Sequence, residues 1–240
     1  MIRGIYAAAS GMVVATEQHE TTSINLANAN TPSYKEIQLS VGNADDPTIG
    51  RILSGVKTET KWQNNALGAF VKTDRNLDFA LSNAGHYFLL QSENGRLLSR
   101  YGHFTRSPDG YLVNNNGHLV LGTAGPIRIP DDANNITVLD NGTIIADGEE
   151  IGRLRIVRVI NENAIRRLGA TMYRIEDENG IQDVEPRILH GYTESSNIQP
   201  HELMISLILG MRFYDAALRS LRTISDMLQL NTRALMNITR

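Results

Sequence analysis

Hydrophobic residues at both ends of the chain recur at the three- and four-residue steps typical of amphipathic helices. The N-terminal series is apolar at five of its eight positions, and the C-terminal series is longer and richer in leucine. We therefore predict one helix over residues 2–29, ended by Asn30-Thr31-Pro32, and a second over residues 201–236. The two series are Ile2, Ile5, Ala9, Met12, Thr16, His19, Ser23 and Leu26, and Met204, Leu207, Met211, Tyr214, Leu218, Leu221, Ser225, Leu228, Thr232 and Leu235.

The middle of the chain has the pattern of an antiparallel β-domain. Between residues 77 and 190, short β-rich runs are separated by six Asn-Gly or Asp-Gly pairs, which supply the positive φ of hairpin turns. Strands do not alternate with helices, so a parallel sheet is not expected. The predicted fold class is α+β, with N- and C-terminal helices packing as an antiparallel coiled-coil-like pair, plus a central antiparallel β-domain.

The same patterns divide the chain into four segments. Residues 1–35 form an N-terminal helical segment, and residues 36–76, which show no sustained periodicity, form an extended connector. Residues 77–190 form the antiparallel β-domain, and residues 191–240 form a C-terminal helical segment. Neither terminal helix can bury its apolar face alone, so we expect the helices to pack against each other or against copies on neighbouring chains.

Composition excludes several classes of function. Lys and Arg number 23 against 26 Asp and Glu, a balance that argues against a nucleic-acid partner. The chain has no cysteine and no nucleotide-binding or hydrolase motif. We therefore expect no enzyme activity, no catalytic or metal-binding residues and no cofactor. The apolar stretch over residues 5–15 is too short to span a bilayer, and we expect neither a membrane span nor a cleaved signal peptide.

A second class of function remains open at this point. A secreted β-domain enzyme or carbohydrate-binding module on a helical stalk would need a cluster of titratable groups. The candidates are Asp78, His86, His103 and Glu149, and His118 shares the β-domain with the two histidines. Such a module would keep its activity after deletion of both helices, whereas a helical assembly protein would lose its function.

Asn25 and Asn28 lie three residues apart and so share one face of the predicted first helix. Asparagine on a packing face costs stability but fixes register, because its amide is satisfied in one alignment. Alternatively, both residues cap the end of the helix. The helix pattern alone leaves both interpretations open.

Residues 23–35, which read Ser-Ile-Asn-Leu-Ala-Asn-Ala-Asn-Thr-Pro-Ser-Tyr-Lys, resemble the N-terminal signature of bacterial flagellar rod and hook proteins. That signature is an Asn-Leu-Ala-Asn core followed by threonine, an aromatic and a basic residue. Residues 100–104 and 194–198 are similar to other parts of the same family. The residues that carry the family signature are Asn25, Leu26, Ala27, Asn28, Thr31, Tyr34, Lys35, Ser196, Asn197, Arg212 and Tyr214.

The resemblance implies a structural subunit of the flagellar basal-body rod, which self-assembles through its terminal helices into a helical tube that transmits torque. The length favours a rod protein over a hook protein, and the proximal rod member over the distal one. The implied partners are copies of itself, other rod and hook proteins, and the flagellar type III export apparatus, and the implied location is the periplasmic rod. The expected assembly residues are Ile2, Ile5, Met12, Asn25, Leu26, Asn28, Leu207, Met211, Tyr214, Leu218, Leu221 and Leu228.

Overall fold

The structure, a computed structural model, describes residues 2–43, 55–133 and 135–238. Helix α1 spans Ile2–Ala27 and helix α2 spans Pro200–Ile238. Two single-turn 3₁₀ helices span Glu162–Ala164 and Glu178–Gly180. The strands β1 to β19, in chain order, are Ile37–Asn43, Val56–Gln63, Phe70–Lys72, Phe79–Leu81, His86–Ser92, Gly95–Ser99, Phe104–Arg106, Leu112–Asn114, Leu119–Gly122, Gly125–Pro126, Ile136–Val138, Thr143–Ala146, Glu149–Arg153, Ile156–Val159, Ile165–Arg167, Met172–Ile175, Ile181–Val184, Ile188–His190 and Tyr192–Glu194.

The chain forms two compact units. The helical unit contains α1, the β1–β2 hairpin and α2, and the β unit contains residues 28–36 and 65–198. The segment after α1 therefore belongs to the β unit, although the two elements that flank it in sequence belong to the helical unit. In the part of the chain that the structure describes, no helix is both long enough and apolar enough to span a membrane.

Helices α1 and α2 pack against each other in antiparallel orientation. A Cβ atom placed on Gly4 would lie 3.1 Å from Cδ1 of Ile224, and one on Gly11 would lie 3.7 Å from the ring of Phe213. Residues later in α1 therefore lie beside residues earlier in α2, so the two helices run in opposite directions. The predicted α+β fold class, with paired terminal helices and an antiparallel β-domain, is confirmed.

The buried face of α1 differs from the predicted one. Thr16 and His19, two positions of the predicted series, are exposed. Small and polar side chains dominate the buried face, whereas the predicted series followed hydrophobicity. Asn25, for example, is buried where it bonds to the backbone of Ile37. The buried positions are Gly11, Val14, Ala15, Thr21, Thr22 and Asn25.

Helix α2 follows its predicted series in part. Leu207, Leu218, Leu221 and Leu228 are all half-buried. The methionines of that series are exposed rather than half-buried; Met211, for example, is 58% exposed. The apolar stripe of α2 is therefore wider than the face that α1 covers.

Strands β1 and β2 form an antiparallel hairpin within the predicted connector. Ile37 lies opposite Gln63, Asn43 lies opposite Val56, and the register shifts after Ser40. The backbone N–H of Val56 donates to Oγ of Ser10 on α1 at 3.2 Å. Residues 44–54 of the connector lie outside the described residues.

The β unit is built on one large antiparallel sheet, ordered β15-β16-β6-β5-β9-β8-β7, with β14 pairing with both β5 and β17. Strands β11, β12 and β13 form a smaller sheet, and β4 and β3 pair with β18 and β19. The core contains Phe88 and Phe104, whose rings meet edge-on with centroids 5.1 Å apart.

Tight turns in the β unit form where the sequence predicts them. Gly117 has φ of 80° between β8 and β9, and Gly142 has φ of 85° between β11 and β12. The Asn179-Gly180 pair is different, because it lies in a 3₁₀ helix with Asp177 as its N-cap. A side-chain cap has replaced the predicted positive-φ turn there.

Candidate functional site

A buried charge cluster lies in the β unit. Nζ of Lys35 lies 2.6 Å from Oε1 of Glu194, and Nε of Arg100 lies 2.7 Å from Oε2 of the same carboxylate. The three side chains are at most 3% exposed. The cluster therefore joins three segments of the chain that are distant in sequence.

Backbone groups complete the hydrogen bonding of this cluster. Nη1 of Arg100 donates to the carbonyls of Asn83 and His86 at 2.7 and 2.6 Å, and Nη2 donates to the carbonyl of Leu81 at 2.6 Å. These three carbonyls belong to the end of β4, the β4–β5 turn and the start of β5. The guanidinium thus holds that turn closed.

The other members of the cluster are also fully engaged with backbone. Nζ of Lys35 donates to the carbonyl of Ala66 at 2.6 Å, and the N–H of Gly68 donates to Oε1 of Glu194 at 3.0 Å. A Cβ on Gly68 would overlap the carbonyl oxygen of Ser195, so glycine is required for this approach.

Two cations share one carboxylate in this cluster, so its net charge is positive. Burial lowers the pKa of Lys35 from its ordinary value of 10.5, and the Glu194 carboxylate opposes that shift. Carbonyl oxygens around Arg100 disperse its charge, because each accepts a charge-assisted hydrogen bond. Loss of Glu194 would leave two buried cations without a counter-charge, the costliest change that the cluster offers.

The end of the N-terminal signature runs beside residues 194–197. The N–H of Ser33 donates to the carbonyl of Glu194 at 2.7 Å, and the N–H of Glu36 donates to Oδ1 of Asn197 at 2.9 Å. Ser33 has φ of 59° and is buried. A left-handed serine is strained, so the surrounding hydrogen bonds hold this backbone in place.

Tyr34 of the signature is buried under a cation. The guanidinium carbon of Arg167 lies 4.4 Å from the centroid of the Tyr34 ring, and Nη1 of Arg167 donates to the carbonyl of Lys35 at 3.2 Å. Burial raises the pKa of the Tyr34 hydroxyl above 10.0. The aromatic and basic residues of the signature therefore lock the segment into the β unit of the same chain.

The two asparagines of the signature also bind within the chain. Nδ2 of Asn25 donates to the carbonyl of Ile37 at 2.7 Å, and the N–H of Ile37 donates to Oδ1 of Asn25 at 3.0 Å. This pair of bonds fixes the start of β1. Asn28 closes the next turn, where its carbonyl accepts the N–H of Thr31 at 3.0 Å. A role of either residue in register between neighbouring chains stays a prediction.

The helical unit carries a second candidate site, the apolar surface of α2. We use this name for nine large apolar side chains that are 37–65% exposed. Over residues 204–213 they cover a broad face of the helix, which also contains the exposed Arg212, whereas the outer face farther along carries the charged residues Asp215, Arg219, Arg222 and Asp226. The nine residues are Met204, Ile205, Ile208, Leu209, Met211, Phe213, Tyr214, Met227 and Leu230.

The predicted assembly residues divide into four groups. Met211 and Tyr214 belong to the apolar surface of α2, while Asn25 is buried. The side chain of Ile2 lies outside the described part of the chain. The half-buried group contains Ile5, Met12, Leu26, Asn28, Leu207, Leu218, Leu221 and Leu228.

Of the candidate chemical residues, the structure brings Asp78 and His103 together. Nδ1 of His103 lies 2.7 Å from Oδ1 of Asp78, and Oγ1 of Thr73 donates to Oδ2 at 2.7 Å. Burial lowers the pKa of His86, and Glu149 is exposed. Within the described ranges, no group of three or more potential ligands is placed to hold a metal ion.

Sequence reasoning did not identify Arg100, Glu194 and Arg167 as site residues. Charged side chains usually indicate a solvated surface, and no local pattern marks these as buried. The resemblance to the flagellar family did include Arg100 and Glu194 among its matching residues, and this was the signal available in the sequence.

Comparisons with known proteins agree with this architecture. Residues 82–146 match the family model described as flagellar hook protein FlgE/F/G D1 domain, and residues 189–232 match flagellar basal body rod FlgEFG protein C-terminal. The basal-body rod protein FlgF of Salmonella typhimurium is 28% identical over 244 residues, which cover 94% of this chain and 95% of that protein. FlgG of Bacillus subtilis is 26% identical over an alignment of 258 residues. The alignment includes 95% of this chain and 97% of that protein.

The helical unit contains the paired terminal helices, and the β unit is held together by the buried charge cluster. Both family matches fall on those parts, one in the β unit and one reaching from β18 into α2. In both regions the chain is similar to flagellar hook and basal-body rod proteins.

Proposed function

We propose that the chain is a structural subunit of the flagellar basal-body rod, without enzyme activity, and that it self-assembles through its terminal helices into a helical tube that transmits torque. The relatives that cover nearly its whole length are named as basal-body rod proteins. The observation that carries the proposal is the apolar surface of α2, because a contiguous exposed apolar surface of this size marks an interaction site.

The size of that surface fits a protein interface. A large side chain has roughly 150–200 Å² of surface. Nine such side chains, each about half exposed, leave on the order of 800 Å² of apolar area. A standard protein interface takes about 800 Å² from each partner. Covering this surface would supply the main driving force for assembly.

The β unit suits the mechanical part of this role. Antiparallel strands surround its core, and the charge cluster ties the signature segment to both β4–β5 and residues 194–197. A segment held by so many buried bonds transmits force with little local deformation. The β unit is thus the stiff part of the subunit.

Partners and location follow from the same proposal. The partners are copies of this chain and other rod and hook proteins, with delivery by the flagellar type III export apparatus and no cleaved signal peptide. The location is the periplasmic part of the basal body. Relatives include both FlgF and FlgG, and of the two positions we propose the proximal one.

Electron microscopy of purified basal bodies with a tag on this chain tests the function, and the tag is expected on the rod. Ile208→Lys should remove the chain from the rod, because it places a charge on the apolar surface. Its matched control is Ser220→Lys, at an exposed position farther along the same helix. Ile208 is 54% exposed, so the isolated chain should keep its fold. A tag found outside the basal body would refute the proposal.

A further inference from the structure

One short segment of the β unit, residues 187–198, closes the unit at the end of its sequence, and we call this segment the latch. Strand β18 in the latch pairs with β4, and β19 pairs with β3. In the part of the chain that the structure describes, β4 and β3 have no other strand partner. Ile188 of the latch is 1% exposed and belongs to the hydrophobic core. Two strands and part of the core therefore depend on the latch.

The latch also holds the signature segment, residues 28–36, in the β unit. The N–H of Ser33 donates to the carbonyl of Glu194, and the N–H of Glu36 donates to the side chain of Asn197. Because both acceptors belong to the latch, the signature segment has these partners only after the latch is in place.

The latch supplies the carboxylate of the buried charge cluster. Lys35 and Arg100 come from earlier parts of the chain, and both pair with Glu194. Without the latch, burial of these two side chains would leave two cations with no counter-charge, which is strongly unfavourable. The same chain without the latch should therefore keep Lys35 in water.

The large sheet does not depend on the latch in this way. Strands β5, β6, β9, β14 and β16 pair with one another, and all of them precede residue 187. This sheet can form as soon as its strands are available. The part that must wait is limited to β3, β4 and the signature segment.

We propose that residues 187–198 act as a folding latch, which leaves the signature segment of a growing chain open until the latch docks. Lys35 and Glu194 are separated by 159 residues, so an early and a late segment must meet to close the unit. Domains generally fold as units during synthesis, with N-terminal parts first. In this chain an N-terminal part waits for residues made much later. The inference concerns the order of folding and does not require the proposed function.

Trypsin provides a direct probe of the latch, because it cleaves after lysine and the side chain of Lys35 is 3% exposed. In the full chain, Glu194→Gln removes the shared carboxylate. The matched control is Glu185→Gln, the same change just before the latch at a side chain that is 91% exposed. We expect cleavage after Lys35 to be at least about tenfold faster in Glu194→Gln, and unchanged in Glu185→Gln. Equal protection in all three chains would overturn the proposal.

Chains halted on the ribosome test the order of folding without any substitution. A shorter chain has residue 184 outside the exit tunnel, and a longer one has residue 198 outside it. Both have α2 still inside or not yet made, so the latch is the main difference between them. We expect cleavage after Lys35 to be at least about tenfold faster in the shorter chain.

Each other outcome of the ribosome experiment contradicts the proposal. Equal protection of Lys35 in both halted chains would show that the signature segment closes without the latch. Equally rapid cleavage in both would show that the latch is not sufficient to close it. This comparison remains decisive even if the Glu194→Gln chain fails to fold.

Discussion

Replacing Glu194 with glutamine keeps the size of the side chain but removes the carboxylate that Lys35 and Arg100 share. Both cations are buried and would keep only carbonyl partners. Removal of one member of a buried ion pair costs about 3–5 kcal/mol. We therefore expect Glu194→Gln to lower the free energy of unfolding of the β unit by that amount.

The matched variant Lys35→Met should cost less. It removes the excess cation and leaves Arg100 paired with Glu194, whose Oε1 still accepts the N–H of Gly68. The loss is then limited to the hydrogen bonds of Lys35, about 1–3 kcal/mol. The order of the two variants, rather than either value alone, tests whether the net charge of the cluster governs its energetics.

The pH dependence provides an independent test of the same cluster. Burial lowers the pKa of Lys35 in the folded chain below 10.5, so the unfolded chain binds this proton more tightly. Burying protonated Lys35 therefore lowers the free energy of unfolding. This loss of stability is complete below the lowered pKa and disappears as pH rises from that value to 10.5. The unaltered chain should therefore gain stability relative to Lys35→Met across that window.

Native-state hydrogen exchange of the β5 and β6 amides, followed by mass spectrometry, measures the stability of the β unit separately from the helices. The expected ranking is the unaltered chain, then Lys35→Met, then Glu194→Gln. A smaller loss in Glu194→Gln than in Lys35→Met would refute the reasoning from net charge.

Three further predictions concern single residues. Gly68→Ala should cost about 1–3 kcal/mol through overlap with the Ser195 carbonyl, whereas Gly169→Ala, with open space around it, should change the unfolding free energy by less than about 0.5 kcal/mol. Asn25→Asp cannot donate to the start of β1, so hydrogen exchange of the hairpin should accelerate. Asp183→Asn should cost about 0.2–1 kcal/mol near pH 7. A hydrogen bond from Arg155 lowers the pKa of Asp183 below 3.8, so the difference in stability between Asp183→Asn and the unaltered chain should vanish as pH falls through the lowered value. Urea titrations measure this difference, and a difference that persists at low pH would contradict the prediction.

Local features of the fold could be predicted because local chemistry determines them. Asn-Gly pairs supply the positive φ of tight turns, and Gly117 and Gly142 adopt it. The helices follow their apolar spacing, and α1 ends near the predicted Asn30-Thr31-Pro32 stop. These features depend on neighbours a few residues away.

Long-range features were not predictable in the same way. Lys35 and Glu194 are separated by 159 residues, and each looks in sequence like an ordinary surface charge. Their burial depends on Arg100 and on several backbone groups that only the folded chain brings together. The exposed face of α2 is a second case, since periodicity does not indicate which side of an apolar helix a partner covers.

The central claim is that the apolar surfaces of the terminal helices are completed by other copies of the chain. Hydrogen exchange of α1 and α2, compared between the dilute chain and purified basal bodies, measures this most directly. The account predicts rapid exchange in the dilute chain and strong protection in the assembled rod. Full protection of both helices in the dilute chain, with no change in basal bodies, would contradict it.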